Sequence, residues 1–87
     1  MKQKPIQVIV TGAGGRMGGR IINLLKESPA LMLAGAVESP DHPALGRDAG
    51  EAAGCGHLDI PITDQIEKVI DKAQVVIDFS VPLAALG

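Results

Sequence analysis

Eighty-seven residues suffice for one small domain and fall short of a complete two-domain enzyme. Apolar residues make up 46% of the chain, with Phe79 the single aromatic, so any core must be aliphatic. A net charge of −2 supplies no broad basic surface, which argues against nucleic acid and anionic membranes as partners.

In chain order, Ile6-Gln7-Val8-Ile9-Val10-Thr11 is rich in β-branched residues and bounded by Pro5 and Gly12. It reads as a buried strand. A helical pattern follows from Arg16 to Glu27, with Met17, Ile21, Leu24 and Leu25 at helical spacing. Ser28-Pro29 ends it, because a residue before proline is pushed out of the α region. Leu31 to Val37 is apolar without interruption, the pattern of a strand covered on both faces. Strand, helix and strand at this spacing form a right-handed βαβ unit.

From Ser39 to Asp59 the periodicity is lost among prolines and glycines, apart from a helical turn near Ala49 to Ala53. A connection this long is usually functional or mobile. Ile60-Pro61-Ile62 is too short and too proline-broken for a central strand. Thr63-Asp64 should cap a helix whose apolar face is Ile66, Val69, Ile70 and Ala73. Gln74 to Phe79 is a further strand, and Ser80-Val81-Pro82 reads as a helix start. One turn of helix cannot cover a sheet face, so the segment is expected to be cut from something longer. The fold class is α/β, a Rossmann-type open parallel sheet with flanking helices. Residues 1–87 form a dinucleotide-binding domain that is incomplete at its C-terminal end.

The segment Thr11-Gly12-Ala13-Gly14-Gly15-Arg16-Met17-Gly18 joins the first strand to the helix. The spacing G-x-x-G-x-x-G fits at Gly12, Gly15 and Gly18. Gly12 permits the tight turn, Gly15 lets backbone approach a pyrophosphate, and Gly18 lets the helix lie close to the sheet. The helix N-terminus then offers N–H groups and a positive dipole end to phosphate. The bland reading of the same glycines is a tight turn. Glu38 follows the second strand and lies twenty residues after Gly18, where an acid that binds ribose hydroxyls is expected. Ser39 and Pro40 follow it, with no Arg or Lys to receive a 2′-phosphate. NADH is therefore the preferred cofactor, with NADPH use possible. Arg16 opposes the helix dipole and so asks for an anionic neighbour, either a cofactor phosphate or Glu38.

Asp78, Phe79 and Ser80 end the last strand on the side where ligands bind in such folds. Phe79 packs either against a cofactor ring or at the sheet edge, and Asp78 is expected to bond loop N–H groups around Gly12. His42, His57 and Cys55 sit in the long loop without metal-ligand spacing, so no metal site is expected. The single cysteine excludes an intramolecular disulfide and fits a reducing cytoplasm. The N-terminal apolar run is too short for a signal peptide or a membrane span.

Val10 to Gly18, Ala36-Val37-Glu38, Leu45-Gly46-Arg47-Asp48-Ala49-Gly50-Glu51 and Val76 to Pro82 together resemble 4-hydroxy-tetrahydrodipicolinate reductase (dihydrodipicolinate reductase) of lysine and diaminopimelate biosynthesis. The resemblance implies that Gly12, Ala13, Gly14, Gly15, Arg16 and Met17 hold the pyrophosphate. It places Glu38, with Ser39 beside it, at the adenosine ribose and Phe79 near the nicotinamide. It further implies hydride transfer from NADH or NADPH to an unsaturated cyclic dicarboxylate, in a full-length homo-oligomer. Ser39 stands where many members carry Arg. The family's Gly-Thr-Thr-Gly loop, its catalytic histidine pair and lysine, and its substrate domain have no counterpart here, so no residue inherits a catalytic role. Two other readings stay open: a stand-alone nucleotide-sensing module without catalysis, and a methyltransferase-type domain.

Overall fold

The computed structural model describes residues 5–78. Their elements are β1 (Ile6–Thr11), α1 (Arg16–Glu27), β2 (Leu31–Val37), α2 (Ala49–Ala53), β3 (Ile62–Thr63) and β4 (Val75–Asp78). The four strands form one sheet in the order β3-β2-β1-β4, and every pairing is parallel. This is the expected Rossmann-type α/β arrangement. β1 is central, and its Val8, Ile9 and Val10 are fully buried. Alternation along the strand sends Val8 and Val10 to one face and Ile9 to the other. On the first face Val8 and Val10 join Ile22 and Leu25 of α1, Leu33 and Ala36 of β2, and Ile62 of β3 in the main core. Each such aliphatic side chain contributes about 1.5–3 kcal/mol when fully buried.

The two faces are not equally covered. The uninterrupted apolar run of β2 predicts burial on both sides, yet Met32 is 52% exposed and Val76 of β4 is 41% exposed. Their face lies opposite α1, and among the described residues the segment after β3 covers only part of it. That segment departs from expectation too: in place of one α-helix it forms two 3₁₀ turns, Ile66–Lys68 and Ile70–Lys72. Thr63 Oγ1 accepts the Gln65 N–H, a local bond that closes a turn instead of capping a helix. Val69 still packs inward. It sits so close to Gly35 that a Cβ there would lie 2.8 Å from its own Cβ. The β1–β2 register slips between Val8 and Ile9, with Val8 opposite Leu33 and Ile9 opposite Gly35.

α1 has the predicted bounds, and of its predicted stripe Leu25 is buried and Ile21 packs against the core, whereas Met17 and Leu24 face solvent. Gly18, Ile22 and Leu25 are its buried residues, while Met17 and Leu24 are 52% and 60% exposed. The reason is Gly18. A Cβ at that position would stand 2.3 Å from the Gly12 carbonyl oxygen and 2.8 Å from Ala13 Cα. The helix rests on the backbone of its own loop, and this contact fixes which stripe meets the sheet.

The long connection after β2 is held by its own bonds. Asp48 caps α2 by accepting the Glu51 N–H, and it also accepts the N–H groups of Leu58 and Ile60. Gly54, at φ 80°, ends the helix in the left-handed conformation. Backbone bonds from Gly46 to Ile62 and from Ile62 to Arg47 fasten the loop to β3. β3 is an edge strand, as its length and Pro61 predict. Burial pushes the Asp48 carboxyl up, but the Leu58, Ile60 and Glu51 N–H groups and the nearby His57 outweigh it and hold the group well below the usual carboxylate range. His57 is raised, first by its hydrogen bond to Glu51 and then by the Asp48 charge, against partial desolvation.

Two tests follow. Gly18→Ala must push backbone atoms apart and should destabilise by about 1–3 kcal/mol. Gly15→Ala should be nearly neutral, since its Cβ would meet only the Gly12 oxygen, at 3.5 Å. Thermal melts of the two variants check the contrast. For pH, the folded Asp48 value lies below the unfolded one, so its stabilisation is complete above the ordinary carboxylate range and fades below about pH 4. His57 behaves in the opposite sense: its contribution is complete below about pH 6.5 and is lost as pH rises through its raised value. Glu51→Gln should shrink the alkaline loss, and Asp48→Asn should remove the acid one. Melting temperatures recorded from acid to alkaline pH measure both limbs.

Candidate functional site

Parallel strands end together, and here their carboxyl ends frame a cleft of about 580 Å³. Thr11 closes β1, Val37 closes β2 and Asp78 closes β4, while Asp64 follows β3. Gly12, Gly15, Glu38, Ser39, His42 and Ile66 complete the wall. The chain runs from β1 to β2 to β3 on one side and returns to place β4 on the other, so the strand order reverses beside β1. Open α/β sheets bind ligands at that reversal.

The glycine loop has the geometry that each glycine suggested, with one exception. Gly12 adopts φ 72°, a conformation that L side chains rarely take, and this turns the chain out of β1. Gly15 is the N-cap of α1, with φ −89° and ψ 176°, and it has no side chain to satisfy the first-turn N–H groups. No acidic residue lies in that turn. An uncapped N-terminus of a twelve-residue helix therefore carries its partial positive charge beside the cleft. Gly14 is the exception. Its N–H donates to Glu38 Oε2 at 2.8 Å, and a Cβ there would lie 2.4 Å from His42 Cε1. What requires glycine at this position is a histidine ring. Ala13 is buried in the core and its N–H donates to Val37 O, while the Met17 side chain points to solvent.

Glu38 is held on two sides. Oε2 accepts from Gly14 and Oε1 accepts the Ser39 N–H at 3.0 Å, with only a tenth of the side chain exposed. A carboxylate oxygen has two lone pairs, so each oxygen keeps one for a further donor. His42 completes this corner. Its Nδ1 accepts the Ala44 N–H at 3.0 Å, which assigns the ring proton to Nε2, 3.7 Å from Glu38 Oε2.

Arg16 stands elsewhere. It lines a separate shallow groove with Gly14, Gly15, Gly19, Arg20 and Asn23. The partners of Glu38 are the Gly14 and Ser39 N–H groups and His42, so the expected alternative of an Arg16–Glu38 ion pair is not formed among the described residues. Asp78 accepts the Thr11 hydroxyl, which ties the ends of β4 and β1 together beside Gly12. Phe79 and the Ser80-Val81-Pro82 start lie outside the described residues. The loop histidines part company: His42 reaches the cleft, whereas His57 lies with Asp48 and Glu51, their ligand-type atoms within 4.8 Å of one another. Sequence spacing gave no sign of that second grouping. Its Asp48 oxygens are engaged by three backbone N–H groups and its Glu51 by His57, so it is wired internally.

A parallel sheet in this order, an uncapped glycine turn and an acid at the end of the second strand define the Rossmann-type class of nucleotide-binding domain. Comparison with known proteins gives the family. The profile described as dihydrodipicolinate reductase, N-terminus, matches residues 6–87, and the chain belongs to that family. Among curated relatives it is similar to 4-hydroxy-tetrahydrodipicolinate reductase of Syntrophotalea carbinolica, 48% identical over 81 residues. The enzymes of the same name from Geotalea daltonii and Pelobacter propionicus are 47% and 46% identical over 81 residues. In each case 93% of this chain is covered, and it spans 30% of the relative's length.

Proposed function

We propose that this chain is the dinucleotide-binding part of a reductase acting on an unsaturated cyclic dicarboxylate, as the names of its relatives indicate. When bound, the nicotinamide dinucleotide would supply the hydride. The observation that carries the reading is Glu38, fixed by the glycine loop at the mouth of the strand-end cleft, with one lone pair on each oxygen left for ribose hydroxyls. Gly12 and Gly15 present backbone, the start of α1 presents N–H groups, and Thr11 and Asp78 form the far wall. Gly15 has room where backbone must approach a phosphate, since nothing but the Gly12 oxygen stands within 4 Å of its missing Cβ.

Residues 1–87 thus act as a binding domain, with Gly12, Ala13, Gly14, Gly15, Arg16, Met17, Glu38, Ser39 and Phe79 as the cofactor-contacting set. The N–H groups of Ala13 and Gly14 are engaged by Val37 and Glu38, so these two would shape the turn against the cofactor and not donate to it. The groups that bind and protonate the substrate belong to the remainder of the longer relatives, and without them the substrate is not oriented against the nicotinamide. The working form is a homo-oligomer in the cytoplasm. Among the described residues no helix is long and apolar enough to cross a membrane.

NADH is favoured over NADPH. Among the described residues the cleft wall includes Glu38, Asp64 and Asp78 and neither Lys nor Arg. A 2′-phosphate against Glu38 costs on the order of 1–2 kcal/mol at a partly exposed site, roughly five- to thirtyfold in affinity. Glu38→Ala should weaken NADH more than NADPH, because it removes a ribose partner in one case and a repulsion in the other. Ser39→Arg should narrow or reverse the gap by adding a guanidinium fork. Competitive titration of both cofactors against these variants is the measurement, and a ratio unmoved by Glu38→Ala would remove Glu38 from the ribose site. Gly15→Val should fold, because its φ is negative, and should lose dinucleotide binding in a calorimetric titration.

A further inference from the structure

His42 was singled out in the sequence only as a loop histidine without a role. The structure gives it three constraints at once. Its ring lies against the bare Cα of Gly14, its Nδ1 is occupied by the Ala44 N–H, and its Nε2–H faces the Glu38 oxygen that Gly14 also holds. It is 28% exposed and lines the cleft. Among the described residues, the acids lining that cleft are Glu38, Asp64 and Asp78, with neither Lys nor Arg beside them. Thr11 donates its hydroxyl to Asp78, which leaves Ser39 and His42 as the side chains with a donor for an incoming anion. Of these two, the imidazole is the one whose donor is fixed in direction, because the Ala44 N–H holds Nδ1 and leaves Nε2–H presented.

Resting on the dinucleotide reading above, we propose that His42 is the specificity-determining residue of the ribose corner, donating from Nε2 to a 2′-phosphate and so admitting phosphorylated dinucleotide to a site built around an acid. The Nε2 position supports this. It stands 3.7 Å from Glu38 Oε2, beyond hydrogen-bonding range, so the Nε2–H is available to a further acceptor beside that oxygen. A 2′-substituent displaced from Glu38 by repulsion moves against His42. The bond from Ala44 keeps the ring from flipping, so the Nε2 edge remains the one presented. A ring held by backbone on one edge and seated on a glycine is pre-organised and loses little freedom when it accepts a ligand. The site therefore grades its preference between the two dinucleotides instead of excluding one.

The test uses the intact protein and two fragments that differ by the one group in question, 5′-AMP and adenosine 2′,5′-bisphosphate. His42→Ala should weaken the bisphosphate by roughly fivefold or more, as expected for loss of a charge-assisted hydrogen bond, and 5′-AMP by less than about twofold. His42→Gln keeps a donor but not the ring that Ala44 fixes, and should shift the ratio in the same direction with the fold retained. Ser39→Ala should move the ratio less than His42→Ala does. His42→Arg should favour the bisphosphate over wild type. An equal loss of both fragments would make His42 a packing residue and overturn the inference, as would a ratio that follows Ser39 and ignores His42. If wild type binds neither fragment, the dinucleotide reading fails and this inference fails with it. Binding of 5′-AMP with an unmoved ratio fails the inference alone.

Discussion

A close backbone approach joins α1 to the turn that launches it. Gly18 lies so near the Gly12 carbonyl that no side chain fits between them. Much else depends on that contact. It holds the turn tight enough for Gly12 to need the left-handed conformation, and it aims the uncapped helix start at the cleft. It also rotates α1 so that Ile22 and Leu25, not Met17 and Leu24, meet the sheet. The glycine spacing is thus a packing requirement first. The uncapped helix start follows from it, because a helix docked this closely must expose its first N–H groups at the strand ends.

A second consequence concerns charge. Carboxylates gathered at one end of a sheet repel each other and any anion that enters. Here two of them are tied down by donors from the protein itself: Glu38 by Gly14 and Ser39, Asp78 by the Thr11 hydroxyl. Fixing their oxygens converts diffuse negative charge into directed acceptors suited to hydroxyl groups. Gly14, Glu38 and His42 act as one unit in this, since the missing side chain of the first makes room for the third beside the second.

The elements that were legible in the sequence are those whose residues satisfy local rules. β1, α1 and β2 are found at their predicted bounds, and the turn at Ala49–Ala53 forms a short helix. Glu38 could be placed because the strand before it and the glycines before that are both periodic. The misreadings have tertiary causes. Met17 and Leu24 fit a helical stripe, but the Gly18 contact overrides it. Ile66, Val69 and Ile70 have helical spacing, yet local bonding by Thr63 and the seat of Val69 on Gly35 favour two 3₁₀ turns. His42 was beyond reach because its role depends on a glycine 28 residues earlier with which it shares no pattern. Asp48 carried a readable signal, an acid three residues ahead of Glu51 at a helix start. Its bonds to Leu58 and Ile60 did not.

The attachment of β4 bears on the order in which the domain can be assembled. Gln7 and Thr11 at the two ends of β1 meet Gln74 and Asp78 across 67 residues of chain. The glycine turn, Glu38 and His42, by contrast, are brought together within residues 12–42. Contacts distant in sequence form late, because the loop they close must be ordered before they reward it. As a polypeptide leaves the ribosome from its N-terminus, the acid-and-histidine corner of the cleft can take shape while β4 is still inside the exit tunnel or untranslated. Until β4 arrives, the edge of β1 is an open ladder of N–H and C=O groups flanked by Val8 and Val10. A nascent domain of this design matures from the corner of Gly14, Glu38 and His42 outward, and its period of greatest exposure to wrong strand partners ends only when β4 docks against β1.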